Sequence, residues 1–207
     1  MDVSRPYSAI SPSLEGDVLV VLAAVTKPLT GRAIARRARQ GTQPAVNAAL
    51  DRLCGQGLVL KESAPPANLY RLNVDHVGSP AVEAMAGMRA ELFKRLRTEV
   101  ESWEIEPVHA SVFGSTARAD GDMGSDIDIL IVHHDDITDE SAAWRDQIER
   151  LSQHVFSWSG NQASIVEFGA SRVRHALSVS PSVTWTDVER DHVHLFGKQF
   201  KSLLGVG

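Results

Sequence analysis

The sequence predicts a chain of mixed α and β structure, of the α/β (α+β) class, in two parts. Two observations carry this prediction. The N-terminal third holds three segments of helical periodicity followed by a strand–turn–strand pattern, and short strands alternate with helices from residue 108 onward. A length of 207 residues suits two small domains, and a hydrophobic content of 43% supports a core in each.

The first part begins with residues 1–12, which contain two prolines and no periodic pattern and are expected to form a loose leader. Leu14 to Val25 is apolar enough for a first helix. Thr30 and Thr42 are suited to cap two further helices, because a Thr hydroxyl accepts from the free N–H groups of a first turn. In the last of these helices the apolar residues recur at steps of four and three, at Val46, Leu50 and Leu53.

Two strands then follow the glycines at 55 and 57. The segments Leu58–Lys61 and Leu69–Leu72 are joined by Ser-Ala-Pro-Pro-Ala-Asn, which predicts a hairpin. Three helices and a hairpin in this order make up a winged helix-turn-helix. The junction Leu-Asp-Arg-Leu-Cys-Gly-Gln-Gly-Leu-Val resembles the passage from recognition helix to wing in many bacterial transcription regulators, over roughly residues 13–75. The resemblance implies a DNA-binding domain at 1–78.

The predicted contacts to DNA are polar and basic side chains on the second and third helices. Gln and Asn can read adenine, and Arg can read guanine or bind phosphate. The candidates are Arg32, Arg36, Arg37, Gln43, Asn47 and Arg52. Binding to two half-sites implies a homodimer. The alternative is that this domain binds protein or positions a substrate, because its basic excess is small.

A linking helix is predicted over 79–103. Its apolar residues recur at steps of three or four and form one stripe: Val82, Met85, Met88, Leu92, Leu96, Val100 and Trp103. The stripe is expected to lie in a core or in the interface of the homodimer.

Composition limits the location and chemistry of the chain. No apolar run reaches the ~18 residues of a membrane helix, and the first residues lack a signal peptide's apolar core, so a cytoplasmic protein without a membrane partner is expected. The single cysteine, Cys54, excludes an internal disulfide. The net charge of −5 is uneven, with nine Lys/Arg against six Asp/Glu in residues 1–78 and twelve against twenty in 79–207. The first part therefore suits nucleic acid, and the second suits metal ions.

The most informative pattern lies between residues 113 and 132. A Gly-Ser turn at 114–115 suits a bound phosphate, because glycine lets the backbone come close and a helix start offers free N–H groups. Asp126 and Asp128 are two residues apart in an apolar strand, so both carboxylates face one side. A divalent cation would offset their repulsion, and oxygen ligands suit Mg²⁺.

Gly114, Ser115, Asp126 and Asp128 together resemble the nucleotidyltransferase superfamily related to DNA polymerase β, especially its minimal bacterial and archaeal members. Ten residues separate Ser115 from Asp126, as in the family pattern. Further positions agree with the minimal members: Phe113, Ala117, Arg118, Ser125 and Val132. The third carboxylate that the family has on a later strand is matched to Glu167. The resemblance covers roughly residues 81–204, with one departure, Ala-Arg-Ala-Asp-Gly where minimal members often have Ala-Arg-Gly.

The resemblance implies a small mixed-sheet domain at 104–207 that transfers a nucleoside monophosphate from an NTP and releases pyrophosphate. It implies two Mg²⁺ ions, held by the catalytic carboxylates Asp126, Asp128 and Glu167. The nucleotide would be bound by Gly114, Ser115, Arg118 and Ser125. The acceptor stays open between a partner protein, RNA and a small molecule, and family members of this size include antitoxins that modify a partner toxin. The alternative is a transcription regulator whose nucleotidyltransferase domain only binds nucleotide.

Overall fold

The computed structural model of the chain describes residues 1–38, 41–137, 141–179 and 183–204. Its contacts divide the chain into two compact units. One unit is Arg5–Arg89, and the other is Met1–Ser4 together with Ala90–Gly207. Within the described ranges, no helix has the length and apolar character needed to cross a membrane.

The unit Arg5–Arg89 contains three helices and a three-stranded antiparallel sheet. The helices are α1 (Leu14–Ala23), α2 (Gly31–Arg37) and α3 (Gln43–Gly55). The strands are β1 (Leu29–Thr30), β2 (Val59–Ala64) and β3 (Ala67–Leu72), and β3 lies between the other two. The predicted caps are confirmed, because the Thr30 hydroxyl accepts from the N–H of Ala33 and the Thr42 hydroxyl from that of Ala45.

The core of this unit is made by the apolar faces of the helices and the sheet. Leu22 of α1, Ile34 of α2 and Leu50 of α3 are buried together with Val59 and Tyr70 of the hairpin. The spacing of four and three in α3 therefore predicted its buried face correctly. Burial of these side chains is what stabilises three helices that would be marginal alone.

The prediction of a loose leader over residues 1–12 is wrong. Val3 is only 2% exposed and lies in the core of the second unit. Arg5 forms an ion pair with Asp17, with Nη2 2.7 Å from Oδ1. These anchors are single side chains with distant partners, so they leave no periodic pattern in the sequence.

Helix α4 (Ser79–Glu101) contains the boundary between the two units. Val82 belongs to the core of the first unit. Leu92, Leu96 and Val100 belong to the core of the second, and all three are at most 4% exposed. At these four positions the apolar stripe is therefore core, and the four side chains are not free to form a dimer interface.

The second unit is built on a four-stranded mixed sheet. Its strands are β4 (His109–Val112), β5 (Ile127–His133), β6 (Ala163–Gly169) and β7 (Val193–Gly197), in the order β6-β5-β4-β7. Strands β5 and β6 are parallel, and the other pairs are antiparallel. The helices are α5 (Gly114–Arg118), α6 (Ala142–Ser159), α7 (Ala170–Val179) and α8 (Val183–Asp191), and a 3-10 turn spans Phe200–Leu204. The predicted mixture of α and β structure is confirmed.

Both faces of this sheet are covered. On one side, called the α6 face below, Ile127, Ile129 and Ile131 of β5 pack in one core with residues of α4 and α6. On the other side, the α7 face, Leu130 and Val132 pack in a second core with residues of α7, α8 and the 3-10 turn. A strand buried on both faces has a nearly continuous apolar sequence, and β5 reads Ile-Asp-Ile-Leu-Ile-Val. Asp128 interrupts that run on the α7 face.

Candidate active site

The two motif aspartates lie at the start of β5. Asp126 is exposed and precedes the strand, whereas Asp128 is half-buried within it. Burial raises the pKa of the Asp128 carboxyl above its ordinary value, and the negative charge of Asp126 raises it further. A hydrogen bond with Ser164 and the charge of Arg118 act in the opposite direction. The Asp128 carboxylate is thus half-buried beside a second negative charge, an arrangement that a bound cation would stabilise.

The Gly-Ser turn lies against the Asp128 carboxylate. Gly114 has φ +67°, and a Cβ built on it would lie 2.3 Å from Oδ2 of Asp128. The N–H of Phe113 donates to the carbonyl oxygen of Asp128 at 3.0 Å. Glycine is strongly favoured here, because a Cβ would displace the carboxylate and the left-handed backbone is unfavourable for other residues. The structure therefore brings the two halves of the motif together.

The two predicted serines converge on a second glycine. A Cβ built on Gly121 would lie 3.0 Å from Oγ of Ser115 and 3.3 Å from Oγ of Ser125. Ser125 also supports the loop before β5, because its hydroxyl donates to Oδ1 of Asp122 at 3.0 Å and accepts from the Asp122 N–H at 3.0 Å. Asn161, which the motif did not reveal, donates from Nδ2 to the carbonyl oxygen of Ser125 at 2.9 Å.

Arg118 ends α5 beside the aspartates. Its Nε lies 3.0 Å from Oδ2 of Asp120, and its Nη1 lies 3.9 Å from Oδ2 of Asp191. It is also close enough to Asp128 to lower the pKa of that carboxyl. The guanidinium is therefore held at the edge of the site by two carboxylates. Asp191 follows 73 positions after Arg118 in the numbering, and no sequence pattern links the two.

Glu167 is not placed with Asp126 and Asp128, and the expectation of three converging carboxylates is wrong. In the parallel pairing of β5 with β6, Asp128 lies opposite Ser164, and Ile131 lies opposite Glu167. Residues that lie opposite each other project from the same face of a sheet. Glu167 therefore projects from the α6 face, where Nε1 of Trp144 donates to its Oε2 at 2.7 Å.

Ser164 is the residue of β6 that shares the face and the register of Asp128. The sequence could not show this, because apolar residues flank both Ser164 and Glu167 when both faces of the sheet are covered. Glu167 is the single carboxylate of β6, which made it the natural candidate. Only the register of the strand pair distinguishes the two positions.

The donor set suits one small divalent cation better than two. Among the described residues, no group of three or more His, Cys, Asp or Glu side chains could hold a metal ion. Mg²⁺, however, is usually bound by one or two carboxylates together with substrate phosphates and water. Asp126 and Asp128 beside the Gly-Ser turn provide that smaller set.

The candidate DNA contacts divide into two groups. Arg32, Arg36 and Arg37 are exposed on α2, and Gln43 and Asn47 are exposed on α3. A cavity of about 450 Å³ brings part of this set together, lined by Thr30, Gly31, Arg32, Gln43, Asn47, Ala67, Asn68 and Tyr70.

Arg52 does not join them. It follows Gln43 by nine positions, which is half a turn away around the helix. Its guanidinium pairs instead with the carboxylate of Glu15 on α1. The structure therefore does not place Arg52 beside Gln43 and Asn47.

Comparison with known proteins gives a family match for part of the chain. Residues 91–167 match the family model described as "Nucleotidyltransferase domain", which spans less than half of the sequence. A solved structure described as "Crystal structure of the toxin-antitoxin with AMP-PNP" is 19% identical and covers 55% of this chain and 81% of its own, with a TM-score of 0.38. That likeness is too slight to show a shared fold. Comparison with curated proteins finds no significant match.

The matched segment runs from α4 to β6 and contains the Gly-Ser turn and both motif aspartates. The family match and the site geometry agree on the same stretch of chain. Together they support the nucleotidyltransferase superfamily for the segment 91–167.

Proposed function

We propose that this chain binds an NTP with a divalent cation at the Gly114–Asp128 site and transfers a nucleoside monophosphate to an acceptor. One observation carries this proposal: the backbone of Gly114 lies so close to Asp128 that a Cβ would contact Oδ2 at 2.3 Å. A phosphate-binding turn is thereby held directly beside a cation-binding carboxylate. The family match over 91–167 supports the same activity.

The residues of the site divide the work. The backbone of Gly114 and the hydroxyl of Ser115 bind the phosphates, and Ser125 holds the loop that leads into β5. Asp126 and Asp128 would hold Mg²⁺, which when bound neutralises the phosphates and orients them. Arg118 adds positive charge at the same edge, although Asp120 and Asp191 offset part of it. The acceptor is a partner protein, RNA or a small molecule, and the acidic balance of residues 79–207 disfavours RNA.

The second candidate function is a regulator whose site binds nucleotide without transferring it. It is favoured by Ser164, because the described residues that β4, β5 and β6 place on the α7 face include no third carboxylate to help activate an acceptor hydroxyl. Under this proposal, nucleotide occupancy of the second unit alters DNA binding by the first.

One experiment separates the two candidates. The protein is incubated with each α-labelled NTP, Mg²⁺ and a cell lysate, and the label is followed into protein, RNA and small molecules. We expect wild type to bind nucleotide and transfer label, Asp128→Asn to do neither, and the exposed control Asp146→Asn to match wild type. Nucleotide binding that depends on Asp128 but never yields labelled product would favour the regulator. Absence of Mg²⁺-dependent nucleotide binding would rule out both.

We further propose that the unit Arg5–Arg89 is a winged helix-turn-helix that binds DNA as part of a homodimer. The order of α1, α2, α3 and the β2–β3 hairpin supports this proposal. Arg32, Gln43 and Asn47 around one cavity supply groups that bind phosphates and base edges.

Selection from random duplexes would define the site, and fluorescence anisotropy would then compare variants. Asn47→Ala is expected to weaken binding by about 1–3 kcal/mol and to relax the preference at one base pair. Arg36→Ala is expected to weaken binding to all DNA sequences alike and to reduce the slope of log affinity against log salt concentration by about one. Arg52→Ala, on the opposite side of α3, serves as the control. A monomer in light scattering with DNA bound would contradict the homodimer.

A further inference from the structure

The α7 face around Asp128 is short of carboxylates. On the neighbouring strand β6 this face carries the side chains of Ser164, Val166 and Phe168, which alternate with Ile165 and Glu167. On β4 it carries Ser111 and His109, opposite Leu130 and Val132. None of these supplies a negative charge, so the described strands provide Asp128 with no second carboxylate besides Asp126.

Among the described residues, two further carboxylates reach this edge through Arg118, those of Asp191 and Asp120, and both are already paired. Asp191 lies 2.6 Å from Nη2 of Arg190 and 3.9 Å from Nη1 of Arg118. Asp120 lies 3.0 Å from Nε of Arg118. Their charges are thus balanced by guanidinium groups, and binding a cation would require those pairs to break.

Ser164 differs from a carboxylate in charge and in what it does to Asp128. Its hydroxyl is neutral and is a weak ligand for Mg²⁺, which prefers charged or strongly polar oxygens in octahedral geometry. It lies opposite Asp128 in the pairing of β5 with β6, where its hydroxyl can donate to that carboxylate without adding charge. A second cation beside Asp128 would therefore find no unpaired additional carboxylate on the described strands.

We infer that this site binds one divalent cation per nucleotide rather than two, and that Ser164 in the register position opposite Asp128 sets this number. The inference rests on the proposed function, because it concerns the same site. It also identifies position 164 of β6 as the place on the sheet where a third carboxylate would have to lie. Glu167, three residues later and on the other face, has no part in cation binding.

The test is the number of Mn²⁺ ions bound, measured without any turnover. The full chain is saturated with α,β-methylene analogues of ATP, GTP, CTP and UTP in turn, and bound Mn²⁺ is counted by electron paramagnetic resonance. We expect one Mn²⁺ per chain for wild type and two for Ser164→Asp, with Ser164→Glu as a second acidic variant. Ser164→Ala and the matched control Glu167→Gln are each expected to keep one.

The outcomes separate this inference from the proposed function. Two ions in wild type, or loss of an ion in Glu167→Gln, would overturn the inference while nucleotide binding stands. Folded Ser164→Asp and Ser164→Glu proteins that both keep a single ion would show that Ser164 does not set the number. Nucleotide and Mn²⁺ binding that is unchanged in Asp126→Asn and Asp128→Asn would instead remove the proposed function itself.

Discussion

The backbone of Gly114 lies directly against the Asp128 carboxylate, since a Cβ on Gly114 would lie 2.3 Å from Oδ2 of Asp128. The contact joins the start of α5 to the second residue of β5, across the loop that carries Gly121 and Ser125. The backbone that would receive phosphates and the carboxylate that would receive a cation are therefore positioned by each other. Changing either residue changes the place of both ligands.

Gly114→Ala is expected to abolish nucleotide binding as well as to destabilise the fold. The matched control is Gly160→Ala, because Gly160 has φ +73° but, among the described residues, no neighbouring atom lies within 4 Å of where its Cβ would be. The control variant should lose only about 1–2 kcal/mol of stability, which is the cost of a left-handed alanine, and should keep nucleotide binding. Urea unfolding and nucleotide titration would check both variants. Equal losses of stability with nucleotide binding intact in Gly114→Ala would show that the contact is unimportant.

Ala119→Gly is expected to stabilise the second unit. Ala119 follows the last residue of α5 as its C-cap, with φ +59° and ψ +38°, at the place where the sequence has Ala-Arg-Ala instead of the Ala-Arg-Gly of minimal nucleotidyltransferases. Left-handed alanine costs about 1–2 kcal/mol, whereas glycine costs about 0.5–1 kcal/mol in unfolded-state entropy. The net gain should be about 0.5–1 kcal/mol in urea unfolding.

Ala117→Gly is the control for this change, because it introduces the same residue inside α5, where the backbone is helical. It should destabilise by about 0.5–1 kcal/mol. If both glycine variants destabilise the protein alike, the conformation of Ala119 in solution differs from the one described.

Asp128→Asn is expected to raise the melting temperature of the nucleotide-free protein at pH 7. The pKa of Asp128 is raised by burial, so the folded state disfavours its ionised form. The resulting loss of stability sets in as pH rises through the ordinary pKa of 3.8 and is complete above the raised value. The difference between variant and wild type should therefore vanish below pH 3.8 in scanning calorimetry.

Asp122→Asn is a control for which the expected change in melting temperature has the opposite sign. Hydrogen bonds from the backbone N–H of Gly124 and from Ser125 lower the pKa of Asp122, so its ionised form contributes stability that is lost as pH falls. This variant should melt below wild type at pH 7. An Asp128→Asn protein that also melts lower would mean that the carboxylate is stabilised by interactions other than those described.

The elements whose signals are local were predictable, and those that depend on strand register were not. Thr30 and Thr42 cap helices because a hydroxyl beside free N–H groups acts within one turn. Asp126 and Asp128 are likewise close in sequence, and the charge of Asp126 raises the pKa of Asp128. Glu167 was misplaced because its face depends on which β5 residue lies opposite it, and apolar neighbours on both faces conceal that choice. The pairing of Arg52 with Glu15 also lacks a local signal, because the two residues lie on different helices and are 37 positions apart in the sequence.

The second unit is expected to lose stability as the pH falls from 6.5 to about 4, because of His109. This side chain is 0% exposed, and Ser111 and the carbonyl oxygen of Lys198 contact its two ring nitrogens at 2.9 and 2.7 Å. Burial lowers the pKa of His109 from 6.5 to about 4. The unfolded chain therefore binds an extra proton in this range, and stability should fall by up to about 1.4 kcal/mol per pH unit.

His109→Gln should make this slope shallower, because glutamine cannot take up the proton. Urea unfolding at pH 7, 6 and 5 would measure the slopes, and the exposed His134→Gln serves as the control. An unchanged slope in His109→Gln would assign the pH dependence to other groups, such as His194, whose pKa is also lowered by burial.

Arg5→Met is expected to be the most destabilising of these changes to the unit Arg5–Arg89. The Asp17 side chain is 0% exposed, its Oδ1 accepts from Arg5 and Tyr7, and its Oδ2 has no hydrogen-bond partner within the described ranges. Removing the guanidinium leaves a buried carboxylate without its counter-ion, which costs about 3–5 kcal/mol. The double variant Arg5→Met/Asp17→Asn should recover part of this loss, because it removes the buried charge as well.

Arg52→Met is the control, since its partner Glu15 is partly exposed and such pairs contribute at most about 1 kcal/mol. Urea unfolding of the four proteins tests the argument, and similar losses for Arg5→Met and Arg52→Met would contradict it.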